Sequence, residues 1–296
     1  MNDSASSAAP VVREIVLNAG GTRLSALLCE PSQAPPRAVV VALHGGGMRA
    51  GYFDGLVDQN LSLLALGADL GYTILAVDRP GYGLSAHQLP YGQTLMEQSE
   101  TLCTALNDFA LYHTVGAGFF LVAHSYGGKV ALSVAADMET DVLLGLDISG
   151  CGNRYAADMH RFFDSSDREV WRMHWGALRF YPTNTFLWAR SLLSPMPERE
   201  YREVPEWPDV LPGVAEQVEV PVRFTFAEYE FLWKHDRETL EGLKDLFGGE
   251  RVVVDHQPNS GHNISLGWTA RSYHLRALAF AEECIVTKGT YGEMGK

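Results

Sequence analysis

The sequence predicts an α/β chain: a doubly wound, mostly parallel eight-stranded sheet with a helical segment inserted late in the chain. Three observations predict it. Short apolar runs recur along the chain and alternate with longer segments of helical apolar spacing. Several of those runs, such as residues 38–43 and 119–122, are apolar throughout, as strands covered on both faces are. The alternation breaks over residues 151–219, an interval too long for a loop in a compact domain.

Taken in order, residues 1–10 are Ser- and Ala-rich and read as a disordered tail. Residues 11–17 and 24–30 are strand-like and flank Asn18-Ala19-Gly20-Gly21, a hairpin signal. The strand at 38–43 ends in His44-Gly45-Gly46-Gly47, and helical spacing follows over 56–70. A strand at 73–77 closes in a Gly-rich turn at 78–85. Residues 94–113 form a long amphipathic helix with Leu95, Leu102, Leu106, Phe109 and Ala110 on one stripe. The strand at 119–122 leads through a tight turn into a helix ending near residue 138. Strands at 142–148 and 220–227, a helix at 236–247, a short strand at 251–254 and a closing helix at 266–284 complete the core. Residues 287–296 are Gly-rich and are expected to be a flexible tail.

Within the inserted interval, Val170, Met173, Ala177, Leu178 and Tyr181 fall on one helical face, with Asp167 as a candidate N-cap. Thr183 or Asn184 starts a second helix through Leu193. Two or three short helices are expected there. The interval holds four of the six tryptophans, Trp171, Trp175, Trp188 and Trp207.

Composition narrows the function. A formal net charge of -13 argues against nucleic acid and anionic membrane surfaces as partners. Cys29, Cys103, Cys151 and Cys284 are far apart, so neither a zinc site nor a disulfide framework is suggested. Neither a secretory signal nor an apolar run of membrane-spanning length is present in the sequence. A cytoplasmic protein with a small-molecule substrate, no metal and no cofactor is expected; its oligomeric state is not legible.

The chemistry centres on Ala123-His124-Ser125-Tyr126-Gly127-Gly128, set between a buried strand and a helix. Strand, tight turn and helix are the setting of a nucleophile elbow, which lifts a serine hydroxyl clear of the sheet edge. The helix N-terminus behind it favours a developing oxyanion. This stretch resembles the elbow of the α/β-hydrolase family, usually Gly-x-Ser-x-Gly, with Ala123 in place of the first glycine. Residues 78–85 resemble the family's Asp-x-x-Gly-x-Gly-x-Ser turn and read as scaffolding.

The resemblance implies a core of residues 11–150 and 220–286 and a helical cap at 151–219. It also places the remaining catalytic groups. Ser125 needs a base, and His262 sits in the loop where the family carries its histidine, with His256 as local rival. The acid that orients it is expected after the seventh strand at Glu230; Asp147, ending the sixth strand, and Glu228 are the alternatives. The oxyanion donors are expected to be the backbone amides of Tyr126 and of Gly46, with Gly47 the next choice. Trp171 and Trp175 are candidate substrate-binding residues.

The implied activity is serine hydrolysis of an ester or thioester of a bulky, largely apolar small molecule through an acyl-enzyme. A lyase, cyclase or acyltransferase using the same site is the alternative, since fold and triad do not fix the acyl acceptor. A non-catalytic small-molecule binding protein is an alternative of another class.

Overall fold

Eight strands form one sheet in the order β1-β2-β4-β3-β5-β6-β7-β8. The structure, a computed structural model, describes residues 10–32, 35–55, 57–139, 141–156, 168–248 and 252–294. β1 (Arg13–Ala19) and β2 (Thr22–Cys29) make an antiparallel hairpin. Its turn is Gly20-Gly21, both at positive φ (62° and 103°), as a tight right-twisted hairpin requires. β2 also pairs antiparallel with β4 (Thr73–Val77). β3 (Val39–Leu43), β5 (Phe119–His124), β6 (Leu143–Ser149), β7 (Val222–Tyr229) and β8 (Val252–Gly261) join β4 in parallel. The carboxyl ends of these parallel strands therefore share one edge, where open α/β sheets place their ligands.

Helices cover both faces, which is why β3, β4, β5 and β6 are buried along their whole lengths. On one face, Leu102, Leu106 and Phe109 of α2 (Leu95–Tyr112) share a core with Val130 and Val134 of α3 (Tyr126–Asp137). On the other, Leu63 and Leu66 of α1 (Leu63–Asp69) meet Ala277, Leu278 and Ala281 of the C-terminal helix, Ala270–Met294. Thr94 caps α2 through a reciprocal box with Glu97, satisfying two amides that the first turn leaves open.

Between β6 and β7 the described residues form α4 (Arg168–Trp175), α5 (Thr185–Trp188), α6 (Glu198–Glu203) and α7 (Trp207–Gln217). Four helices stand where two or three were expected. Prolines hid the last of them: Pro208 opens α7 and Pro212 lies inside it. The helix expected to carry Val170 through Tyr181 stops at Trp175, because Gly176 takes the left-handed conformation (φ 68°) that ends helices. The one expected through Leu193 shortens to α5 and a 3-10 turn at Ala189–Ser191. Asp167, the candidate N-cap, and residues 1–9 of the expected tail lie outside the described residues.

Three other expectations change. The helix over 56–70 begins only at Leu63, where the Ser62 hydroxyl accepts the Ala65 amide. The last strand runs to Gly261, since pairing with β7 resumes beyond an irregularity at Ala227/Tyr229. After β7, α8 (Arg237–Leu246) precedes β8, and α9 (Ala270–Met294) continues beyond residue 287, where a loose tail was expected. No proline interrupts α9, so a nucleated helix passes its glycines at about 1 kcal/mol each. Among the described residues no helix is long and apolar enough to cross a membrane.

Candidate active site

Ser125 sits between β5 and α3 with φ 53° and ψ -119°, a conformation that serine rarely adopts. Two backbone bonds hold it there: its amide donates to the Ser149 carbonyl (2.8 Å), and its carbonyl accepts the Gly128 amide (2.9 Å). The turn has no room for larger neighbours. A Cβ at Gly127 would lie 2.4 Å from the Leu43 carbonyl oxygen, and one at Gly45 would lie 3.1 Å from the Ser125 Cβ. Ala123, where the elbow motif has glycine, is a fully buried strand residue.

The Ser125 hydroxyl lies 3.1 Å from His262 Nε2. The other ring nitrogen, Nδ1, lies 2.8 Å from Glu230 Oε2. With Nδ1–H donating to the carboxylate, Nε2 is left as the acceptor for the serine proton. Glu230 is itself fixed, because its Oε1 accepts the Leu232 amide at 3.0 Å. Glu230 and His262 are both buried, so the dipolar line is shielded from water.

Asp147 is elsewhere. Its carboxylate accepts the Tyr273 hydroxyl (2.9 Å) and pairs with Arg223 (3.1 Å), and burial pushes its pKa up to about 6. Glu228 accepts the Asn259 amide at 2.6 Å. The His256 ring lies tilted against those of Phe226 and His235, and His256 is not among the residues that line the cavity over Ser125. His124, beside Ser125, packs flat on Tyr52 and near the His262 ring; burial holds its pKa well below the usual histidine range.

Tyr126 is the first residue of α3, so its amide has no partner within the helix. Gly46 and Gly47 both border the cavity above Ser125. Gly47 does not serve as a second donor in this arrangement, because its amide donates to the Tyr82 hydroxyl at 3.0 Å. Gly46 stays as the choice, with Met196 so close above that a Cβ on Gly46 would lie 3.0 Å from Met196 Cε.

A buried network the sequence did not reveal braces this turn. Arg79 donates to the carbonyls of His44 (2.8 Å) and Gly45 (3.3 Å). Its charge is met by Glu200 of α6, and Tyr82 donates to the same carboxylate at 2.7 Å. The His44 ring bridges Gly45 and the Arg79 amide as a neutral imidazole, its pKa lowered to about 3 by burial and by Arg79. Asp78 reads as scaffolding here too, accepting from Ser25, Arg49 and the Ala50 amide.

A cavity of about 540 Å³ opens over Ser125 and His262, between the sheet edge and the inserted helices. Trp171 and Trp175 both line it; Trp171 is 40% exposed, whereas Trp175 is 8% exposed and packs against Tyr181 and Phe186. Val170, Leu193, Met196, Val204 and Leu232 add aliphatic walls. Lys129, one helical turn beyond the serine, also reaches this cavity and was not singled out from sequence. The signal was available: it is the only Asp, Glu, Lys or Arg between residues 119 and 136. No group of three or more His, Cys, Asp or Glu among the described residues is placed to hold a metal ion.

A family model described as "Alpha/beta hydrolase family" matches residues 40–282. A "Probable serine hydrolase" of Drosophila melanogaster is 33% identical over 116 residues, which is 38% of this chain and 32% of that relative's length. Among solved structures, the thioesterase domain from the curacin biosynthetic pathway aligns with a TM-score of 0.64 at 15% identity, covering 90% of this chain and 99% of that one. A thermostable carboxyl esterase from Bacillus coagulans gives 0.64 at 16%, covering 94% and 99%. At such identities the likeness is one of fold.

Proposed function

The chain belongs to the α/β hydrolase family, and on that premise we propose that it is a serine hydrolase acting on an ester or thioester of a bulky, largely apolar small molecule. One observation carries this reading: the continuous hydrogen-bonded line from Ser125 Oγ through His262 to Glu230. In the proposed cycle, Ser125 Oγ attacks the acyl carbonyl while His262 Nε2 takes its proton. Glu230 keeps the imidazole in the required tautomer and stabilises the imidazolium. The amides of Tyr126 and Gly46 receive the oxyanion, each donor contributing ~3 kcal/mol in the transition state. Collapse expels the alcohol or thiol with the proton from His262, and water, activated by the same imidazole, then releases the acid.

The inserted stretch 151–219 is proposed as a cap that reads the substrate, supported by its tryptophans at the cavity and by the cavity's apolar walls. The thioesterase and carboxyl esterase of similar fold agree with this reading. A small molecule is the proposed partner, and a cytoplasmic setting is supported by four free cysteines. A panel of activated esters of graded chain length tests the proposal. The parent is expected to turn them over and Ser125→Ala to lose turnover at least ~10³-fold while keeping its fold. Equal turnover by the two proteins overturns it.

A further inference from the structure

Among the described residues of the cavity wall, Lys129 is the lysine, arginine or carboxylate that the proposed cycle does not use. It lies four residues beyond Ser125 on α3, roughly 6 Å along the helix axis. The side chain is 2% exposed, yet it borders the cavity. Its ammonium donates to the Tyr155 hydroxyl at 2.8 Å and to the Val204 carbonyl at 3.4 Å. Four rings surround it, those of Tyr126, Tyr155, Trp207 and Trp233, at 5.2, 5.5, 5.6 and 5.8 Å.

No carboxylate among the described residues forms a salt bridge with it. The nearby acids are committed elsewhere: Glu200 to Arg79 and Tyr82, and Glu203 to the Leu95 amide and the Tyr126 hydroxyl. The Cys151 thiol beside it is held neutral, its pKa raised to about 12 by burial. A buried cation is costly unless matched, and of an ammonium's three donors two are used among the described residues. The rings and two neutral oxygens offset part of that cost. Burial lowers the pKa of Lys129 to about 8, so it carries its charge near neutral pH.

We propose that Lys129 is the specificity residue for an anionic oxygen on the acyl group, so that the preferred substrate is an apolar acyl ester or thioester ending in a carboxylate or similar anion. This rests on the serine hydrolase reading and deepens it. The aromatic ring wall takes the apolar part of the acyl chain, and the third ammonium donor takes its anionic end. One helical turn between the two residues makes diacids of several methylenes the first series to try.

The test compares 4-nitrophenyl half-esters of adipic and pimelic acid with 4-nitrophenyl hexanoate and heptanoate, in the parent, Lys129→Met and Lys129→Gln. The parent is expected to favour the half-esters in kcat/KM by about tenfold or more, the scale of one charge-assisted hydrogen bond. Both variants are expected to lose that preference while keeping turnover of the neutral esters within a few-fold. A parent with no preference overturns the inference without any variant. So does a preference that survives in either variant, or an equal loss on charged and neutral esters, which marks a purely structural lysine. Neutral-ester turnover by the parent is a separate readout: its absence, with Ser125 unlabelled by a fluorophosphonate, strikes the hydrolase reading instead.

Discussion

Ser125 holds its left-handed backbone at a cost of about 1–3 kcal/mol, which the surrounding glycines and the Ser149 carbonyl make tolerable. Asn259, the other non-glycine at positive φ among the described residues, lies three positions before His262 and is of a type that tolerates that conformation. The elbow is therefore intolerant of side chains. Gly127→Ala places a Cβ against the Leu43 carbonyl and is expected to lower stability by 1–3 kcal/mol or more, read by denaturant unfolding. Glu230→Gln is expected to cut kcat about 10⁴-fold, by analogy with loss of the aspartate in a Ser-His-Asp protease. Asp147→Asn should leave kcat within a few-fold, because that carboxylate faces Tyr273 and Arg223. The reverse ranking would assign the acid to the wrong strand. Ser125 stands out in the sequence through the strand, tight turn and helix around it, whereas His262 and Glu230 are singled out by the resemblance to the α/β-hydrolase family, and the structure brings the three side chains within hydrogen-bonding distance. The sequence favours Gly46 over Gly47 only weakly; what separates them in the structure is the hydrogen bond that the Gly47 amide donates to the Tyr82 hydroxyl, thirty-five residues away.

At the scale of elements, the sheet was legible because its central strands are apolar throughout and the turns after them are rich in glycine. The inserted helices were less so. Gly176 truncates a pattern that continues in sequence, and the prolines of α7 disguise a helix that buries Trp207 and Leu211. The Arg79–Glu200 pair is the main link between α6 and the turn over Ser125, and it joins residues 121 positions apart. Glu200→Gln leaves a buried guanidinium unmatched beside the His44 and Gly45 carbonyls. It is expected to destabilise by about 3–5 kcal/mol and to lower kcat as well, because the same guanidinium braces the His44–Gly45 turn proposed to receive the oxyanion. Unfolding and turnover measured together check this; a full-strength enzyme with unchanged stability would mean the pair is idle. By comparison, Thr94→Ala removes only the α2 cap and should cost about 1 kcal/mol with kcat unchanged.

For the molecule as a whole, substrate selection is proposed to reside in the cavity where the inserted helices meet the sheet's carboxyl edge. No local sequence pattern describes that cavity, since its walls come from α3, α4 and the chain before α6 as well as the strand ends. Trp171 and Trp175 belong to this level. Trp171→Ala and Trp175→Ala are each expected to shift the chain-length optimum and to lower kcat/KM for bulky acyl esters several-fold relative to short ones. Trp175→Ala should also destabilise, because that ring packs on Tyr181 and Phe186. Unchanged substrate ranking in both variants, or acetyl esters as the best substrates of the parent, contradicts the proposed cap function. The central claim is more basic than any of these: Ser125 is the nucleophile. Its most direct test is mass spectrometry of the folded protein after treatment with a fluorophosphonate. The account predicts one adduct, on the peptide bearing Ser125, absent in Ser125→Ala and strongly slowed in Glu230→Gln. An adduct on another residue, or none on folded parent protein, would contradict it.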